Sequence, residues 1–168
     1  MTITFFKKTG ALLIAPALLF SITSKMNADF SGEWKLDASK SDMGQYANIV
    51  PLKLKVEEKA DQITIAKTST SFDGSGEENA TETLSFDGKE TESTVPPGSS
   101  KRKASAKWSE DGQTLTLTYT LMLDFNGQAT EIKGTEVWTL SDGGKTLTTV
   151  NSSTSSFGDN TYKAVYQK

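Results

Sequence analysis

Neither histidine nor cysteine occurs in this chain, and that removes serine–histidine–acid triads, thiol catalysis and nearly all zinc chemistry in one step. Carboxylates are what remains. Glu77, Glu78, Glu90, Glu92 and Glu136 are available, and a pair of them could share acid and base work, but acids beside turns or on polar strand faces are usually solvated. The Asp-Gly pairs do not build a calcium loop, because none supplies oxygen ligands at alternate positions with a closing glutamate. No enzymatic activity, metal or cofactor is therefore expected. Arg102 is the single arginine. On the parity of Ala104, Ala106 and Trp108 it would point inward and meet an anionic head group. Alternatively, Lys101-Arg102-Lys103 is a solvated strand start after the loop Pro96-Pro97-Gly98-Ser99-Ser100.

The elements that would position these side chains are strands. In Asp29 to Asp37, Phe30, Gly32, Trp34 and Leu36 fall on one parity and Ser31, Glu33, Lys35 and Asp37 on the other, the period of a strand with one face buried. Ser39 stands three residues ahead of Asp42, the spacing of a helix cap, which predicts one short helix through Tyr46. From there on the pattern is strand and turn. Asp73-Gly74, Asp87-Gly88, Asp111-Gly112, Asn126-Gly127, Asp142-Gly143 and Gly158-Asp159 recur about every fifteen residues, and such pairs favour the positive backbone angles of tight hairpins. They delimit ten strands, near 30–37, 51–58, 62–70, 78–86, 89–95, 101–109, 113–125, 128–141, 145–155 and 161–167. One hairpin recurs: Trp108 and Trp138 each precede an Asp-Gly turn and a Thr-Leu-Thr return.

Consecutive antiparallel strands with one apolar parity each must cover that face. The absence of a long crossover favours an up-and-down meander closed into a barrel of eight to ten strands over a sandwich. Leu115, Leu117, Tyr119, Leu121, Leu123 and Phe125 share one side of the longest strand, which assigns it to the core. If Leu84, Phe86 and Val95 face inward, so do Glu82, Thr91 and Ser93, and Lys67 and Ser69 follow Ile63 and Ile65. Buried polar groups need partners, so either such an interior holds water or a ligand, or these strand ends lie outside the barrel.

Residues 1–28 have the form of a secretory signal peptide, with Lys7 and Lys8 before an apolar run from Ala11 to Ile22 and a cleavage point after Ala28. The run is too short to cross a bilayer, which takes roughly 20 residues. Cleavage would leave one domain, 29–168, exported to the periplasm or secreted. It would carry 15 basic residues against 21 acidic ones, so that the net charge falls from -3 to -6. An acidic chain lacks the cationic face that nucleic acid or an anionic membrane would require.

Gly32-x-Trp34 at the opening of an all-strand chain, the number of strands, and the closing Ala164-Val165-Tyr166-Gln167-Lys168 together resemble the lipocalin and fatty-acid-binding superfamily, in which such a tryptophan plugs the closed end of the barrel. The Gly-x-Trp-Lys-Leu start and the run from Trp138 to Leu147 are also similar to those of small exported bacterial proteins of unassigned function. The resemblance implies a barrel with Gly32 and Trp34 as structural plug and a small hydrophobic or amphiphilic ligand inside, bound without catalysis, with Trp108, Leu117, Tyr119, Leu121, Tyr166 and Arg102 as its lining. Fatty-acid-binding barrels hold a carboxylate with an arginine two residues before a tyrosine. Tyr166 matches that tyrosine, but Ala164 stands at the arginine position. The alternative is an envelope interaction module with a packed barrel and no ligand, whose protein partner the sequence does not identify.

Overall fold

The computed structural model describes residues 26–71, 73–96, 100–125 and 128–168. The leader's basic start and apolar run, the Asn126-Gly127 turn and Pro97 to Ser99 lie outside the described residues.

Ten strands follow one another as the turn residues predict. They are β1 (Gly32–Leu36), β2 (Lys53–Glu58), β3 (Gln62–Thr70), β4 (Glu77–Ser85), β5 (Thr91–Val95), β6 (Ser100–Trp108), β7 (Thr114–Phe125), β8 (Gln128–Ser141), β9 (Thr146–Ser155) and β10 (Gly158–Gln167). They form one antiparallel sheet in the order β4-β3-β2-β1-β10-β9-β8-β7-β6-β5. The first and last strands pair, Lys35 with Gln167 and Leu36 with Tyr166, so the meander curls round on itself. Among the described residues no ladder joins β4 to β5, and the barrel is nearly rather than fully closed.

Side chains seal that seam. At one end Phe86, just past β4, lies 5.6 Å from Trp108 at the end of β6. Further along, Glu82 of β4 meets Arg102 of β6.

The end of the barrel nearest Trp108 is filled. Phe30 stacks on Trp108 at 5.6 Å and meets Trp138 edge-on at 5.7 Å. Trp34, Trp138, Ile63, Leu84, Leu115 and Leu147 are all fully buried. Trp34 donates its indole N–H to the Phe30 carbonyl at 2.9 Å, which satisfies its one polar atom inside the core. The Lys168 ammonium sits 4.9 Å from the Trp34 ring centroid. Gly32 permits this arrangement: its φ is +137°, and a Cβ there would lie 2.5 Å from Lys168 Cε.

The segment between β1 and β2 carries the expected short helix, ending at Tyr46, but the helix starts later than the Ser39 spacing predicts. It is a single 3-10 turn, Gly44–Tyr46, without a side-chain cap. The Ser39 hydroxyl bonds back to Asp37 at 2.6 Å, and Asp42 exchanges both backbone hydrogen bonds with Lys163 of β10. An extended bridge at Asp42 is incompatible with a helix running through it.

The turns differ in detail from two-residue hairpins. Asp142 alone among the described non-glycine residues has positive φ, at 52°; at the other described Asp-Gly sites only the glycine does. A different device shapes three of them. In Ser71-x-Asp73-Gly74-Ser75 the Asp73 carboxylate accepts from the Ser71 hydroxyl at 2.8 Å and the Ser75 amide at 2.9 Å. The same pattern recurs as Ser85, Asp87 and Lys89 and as Ser109, Asp111 and Gln113. The aspartate thus closes the turn through its side chain.

Two expectations follow. Gly32→Ala should destabilise the protein by about 1–3 kcal/mol in urea unfolding, from strained backbone and the clash with Lys168. Adding Lys168→Ala should recover only the steric part. The hydrogen bonds donated by the Ser75 and Ser71 groups hold the Asp73 carboxyl down to about 2. A depressed folded value means that its stabilisation is present above the ordinary carboxyl range and disappears as pH falls through about 2. Ser71→Ala should therefore raise the Asp73 value in a carbon-detected NMR titration.

Candidate functional site

The inward residues of β8 are Ile132, Gly134, Glu136, Trp138 and Leu140, one parity of a strand whose neighbours are fixed by register: Leu117 faces Glu136 and Tyr119 faces Gly134 on β7, while Asn151 faces Glu136 on β9. Above the aromatic plug the inward positions turn polar at Glu136 and Asn151, and a cavity of about 550 Å³ opens there. Its wall is apolar along β7 and β8, with Leu121, Leu123 and Ile132, joined by Val95 and Pro96; Tyr46, Asn48 and Ile49 of the β1–β2 segment lie at its mouth. The segment is held over the mouth by stacking of Tyr46 on Tyr162, 5.6 Å between centroids, and by a hydrogen bond from the Tyr46 hydroxyl to Asn160.

The cavity is floored by four charges. Lys67 Nζ lies 2.8 Å from Glu82 and 3.7 Å from Glu136, while Arg102 places Nε 3.2 Å from Glu82 and Nη2 3.6 Å from Glu136. Each cation thus touches both anions. The four come from β3, β4, β6 and β8, and only β3 and β4 among these are adjacent in the sheet. Glu82 and Arg102 are 5% and 9% exposed, deep enough that an unpaired charge would be costly. The arginine contacts are ion pairs rather than aligned hydrogen bonds: Arg102 Nε and Nη2 and Glu82 Oε2 lack hydrogen-bond partners of good geometry.

Burial pushes the Glu82 carboxyl upward, but Lys67 and Arg102 outweigh it and hold the group below its ordinary range. Burial likewise works against the Arg102 charge, and Glu82 and Glu136 more than restore it. The Tyr162 hydroxyl is pushed well above the phenol range by burial and by Glu136. It remains neutral.

Packing fixes the orientation of these groups. The Arg102 guanidinium lies 4.2 Å from the Tyr119 ring centroid. Tyr119 in turn leans across Gly134 to Asn151, whose amide donates to the phenol oxygen at 3.0 Å. Gly134 is needed for that reach, since a Cβ there would stand 2.6 Å from the Tyr119 hydroxyl and 2.8 Å from the Ser152 carbonyl. The indole N–H of Trp138 donates to Glu136 Oε1 at 3.0 Å and connects the floor to the plug below.

Of the side chains expected to line the interior, Arg102, Tyr119 and Leu121 border the cavity. Trp108, Leu117 and Tyr166 face inward at other levels: Trp108 belongs to the aromatic plug, and Leu117 and Tyr166 are buried. Gly32 and Trp34 stand together at the filled end. The inward Arg102 excludes the solvated strand start. Glu136, grouped by sequence with solvated acids, is corrected to an interior position, and its parity with Trp138 is the signal that marks it. Asn151, Asn160 and Tyr162 carried no motif.

Glu82→Gln should cost about 3 kcal/mol at neutral pH, because it removes one partner of buried cations. Glu82 is depressed in the folded state, so the stability it adds is present above the ordinary glutamate range near 4.3 and is lost as pH falls through the folded value. The variant should show a correspondingly flatter acid limb in urea unfolding followed against pH.

No family model, curated protein or solved structure matches this chain.

Proposed function

We propose that this is an exported, lipocalin-like container that binds one small amphiphilic molecule reversibly in its barrel, without catalysis, and acts in the periplasm or outside the cell after removal of residues 1–28. The observation that carries the reading is the cavity of about 550 Å³, which lies within the range of small-molecule sites and combines an apolar wall along β7 and β8 with a polar wall at Ser69, Thr70, Ser153 and Ser155 and a self-neutralised floor. An outward-facing module with a solid core would have no such chamber. The absence of histidine and cysteine and the pairing of Glu82 and Glu136 with Lys67 and Arg102 support binding rather than turnover.

Trp138 is a natural reporter. Its N–H contacts Glu136, and Glu136 borders the cavity, so a molecule resting on the floor alters the surroundings of that indole. Titration of the mature protein with a panel of lipophilic probes should give a saturable change in tryptophan emission. Native mass spectrometry of protein from its own host should show a mass added by a non-covalent adduct. Unchanged emission across the panel together with an adduct-free spectrum would remove the container reading.

A further inference from the structure

Resting on the container reading, we infer that the chamber takes an amphiphile with an uncharged head group, such as a long-chain alcohol or amide, and rejects the carboxylate of the same chain length. The cations on its lining are already engaged. Lys67 and Arg102 each contact both Glu82 and Glu136 at 2.8 to 3.7 Å. An incoming carboxylate must either displace one of these buried acids, leaving it unpaired at low dielectric, or share the cations and stand beside a like charge. Either course costs free energy that an uncharged head group does not meet. Glu78 brings a third carboxylate to the lining, so the charged residues there are three acids against Lys67 and Arg102.

A cationic head group meets the opposite obstacle at the floor, where both acids are paired and two cations are adjacent. A hydroxyl or amide meets neither. Tyr119 and Asn151, which border the cavity, are hydrogen-bonded to each other, and the Asn151 amide retains a second N–H and a second carbonyl lone pair that such a head group can use. The apolar Leu121, Leu123, Ile132 and Val95 lie on the same lining and receive the chain. The quartet therefore provides specificity by repulsion as well as by fit.

The test uses one ten-carbon chain with three head groups, decanol, decanoate and decyltrimethylammonium, each displacing Nile red from the mature protein at about pH 8, where the acid is ionised. Decanol should bind at least about tenfold more tightly than either charged compound. In Glu82→Gln, and independently in Glu136→Gln in case the first folds poorly, Lys67 and Arg102 each lose one of their two partners, and decanoate should gain about tenfold relative to decanol. If Nile red binds but decanoate displaces it as well as decanol does, or decanol fails to displace it, the inference falls and the container reading stands. If no compound binds, Nile red included, both fall.

Discussion

The ion-pair quartet of Lys67, Glu82, Arg102 and Glu136 is the contact on which the shape of the interior depends. Among the described residues the backbone ladders hold nine of the ten strand neighbours together and leave β4 and β5 unpaired with each other. Glu82 to Arg102 crosses that seam, and the links to Glu136 tie both of its sides to the opposite wall. Buried ion pairs are often no more stabilising than apolar residues of equal volume. Their contribution here is geometric: each member touches two of opposite sign, and this sets where β4 stands relative to β6 and β8.

Around that floor the barrel is layered. Below it, Phe30, Trp34, Trp108 and Trp138 fill the cross-section with rings in mutual contact or hydrogen-bonded to backbone and carboxylate. Above it, short side chains such as Ser69, Ala80 and Ser153 leave space. The difference is one of side-chain volume along strands of unchanged period, because a barrel of this strand number is narrow enough for large residues to fill it. The β1–β2 segment, bonded to β10 through Asp42, Ser41 and Tyr46, partly covers the open end.

Much of this architecture was legible in the residues, and the limits are physical. Strand extents followed from two-residue alternation and Asp-Gly turns, both local signals. Parity put Lys67 and Glu82 on the face of Ile63, Ile65 and Leu84 but left open whether that stretch lies inside the barrel; it does. Nor could parity place a residue along the barrel axis, which depends on strand tilt and stagger accumulated over several ladders. Hence Trp108 and Leu121, both inward, lie at opposite levels, one in the plug and one at the cavity. The partnership of Arg102 with Glu136 joins β6 to β8 across an intervening strand, and neither local period nor a turn motif encodes it. The short helix before β2 starts at Gly44 rather than just after Ser39 for a related reason: a distant strand, β10, claims the backbone of Asp42.

The unpaired edges of β4 and β5 give this sheet a mechanical character that a ring lacks. A closed ring can widen only by stretching every ladder at once, whereas a cuff with a single slit yields along that line and keeps its curvature elsewhere. The slit runs from aromatic contact at one end to charged contact partway up, so resistance to spreading is strongest near the plug and weakest toward the rim. The rim of the barrel is thus the part of its wall least constrained by contacts across the seam, while the floor is held by them.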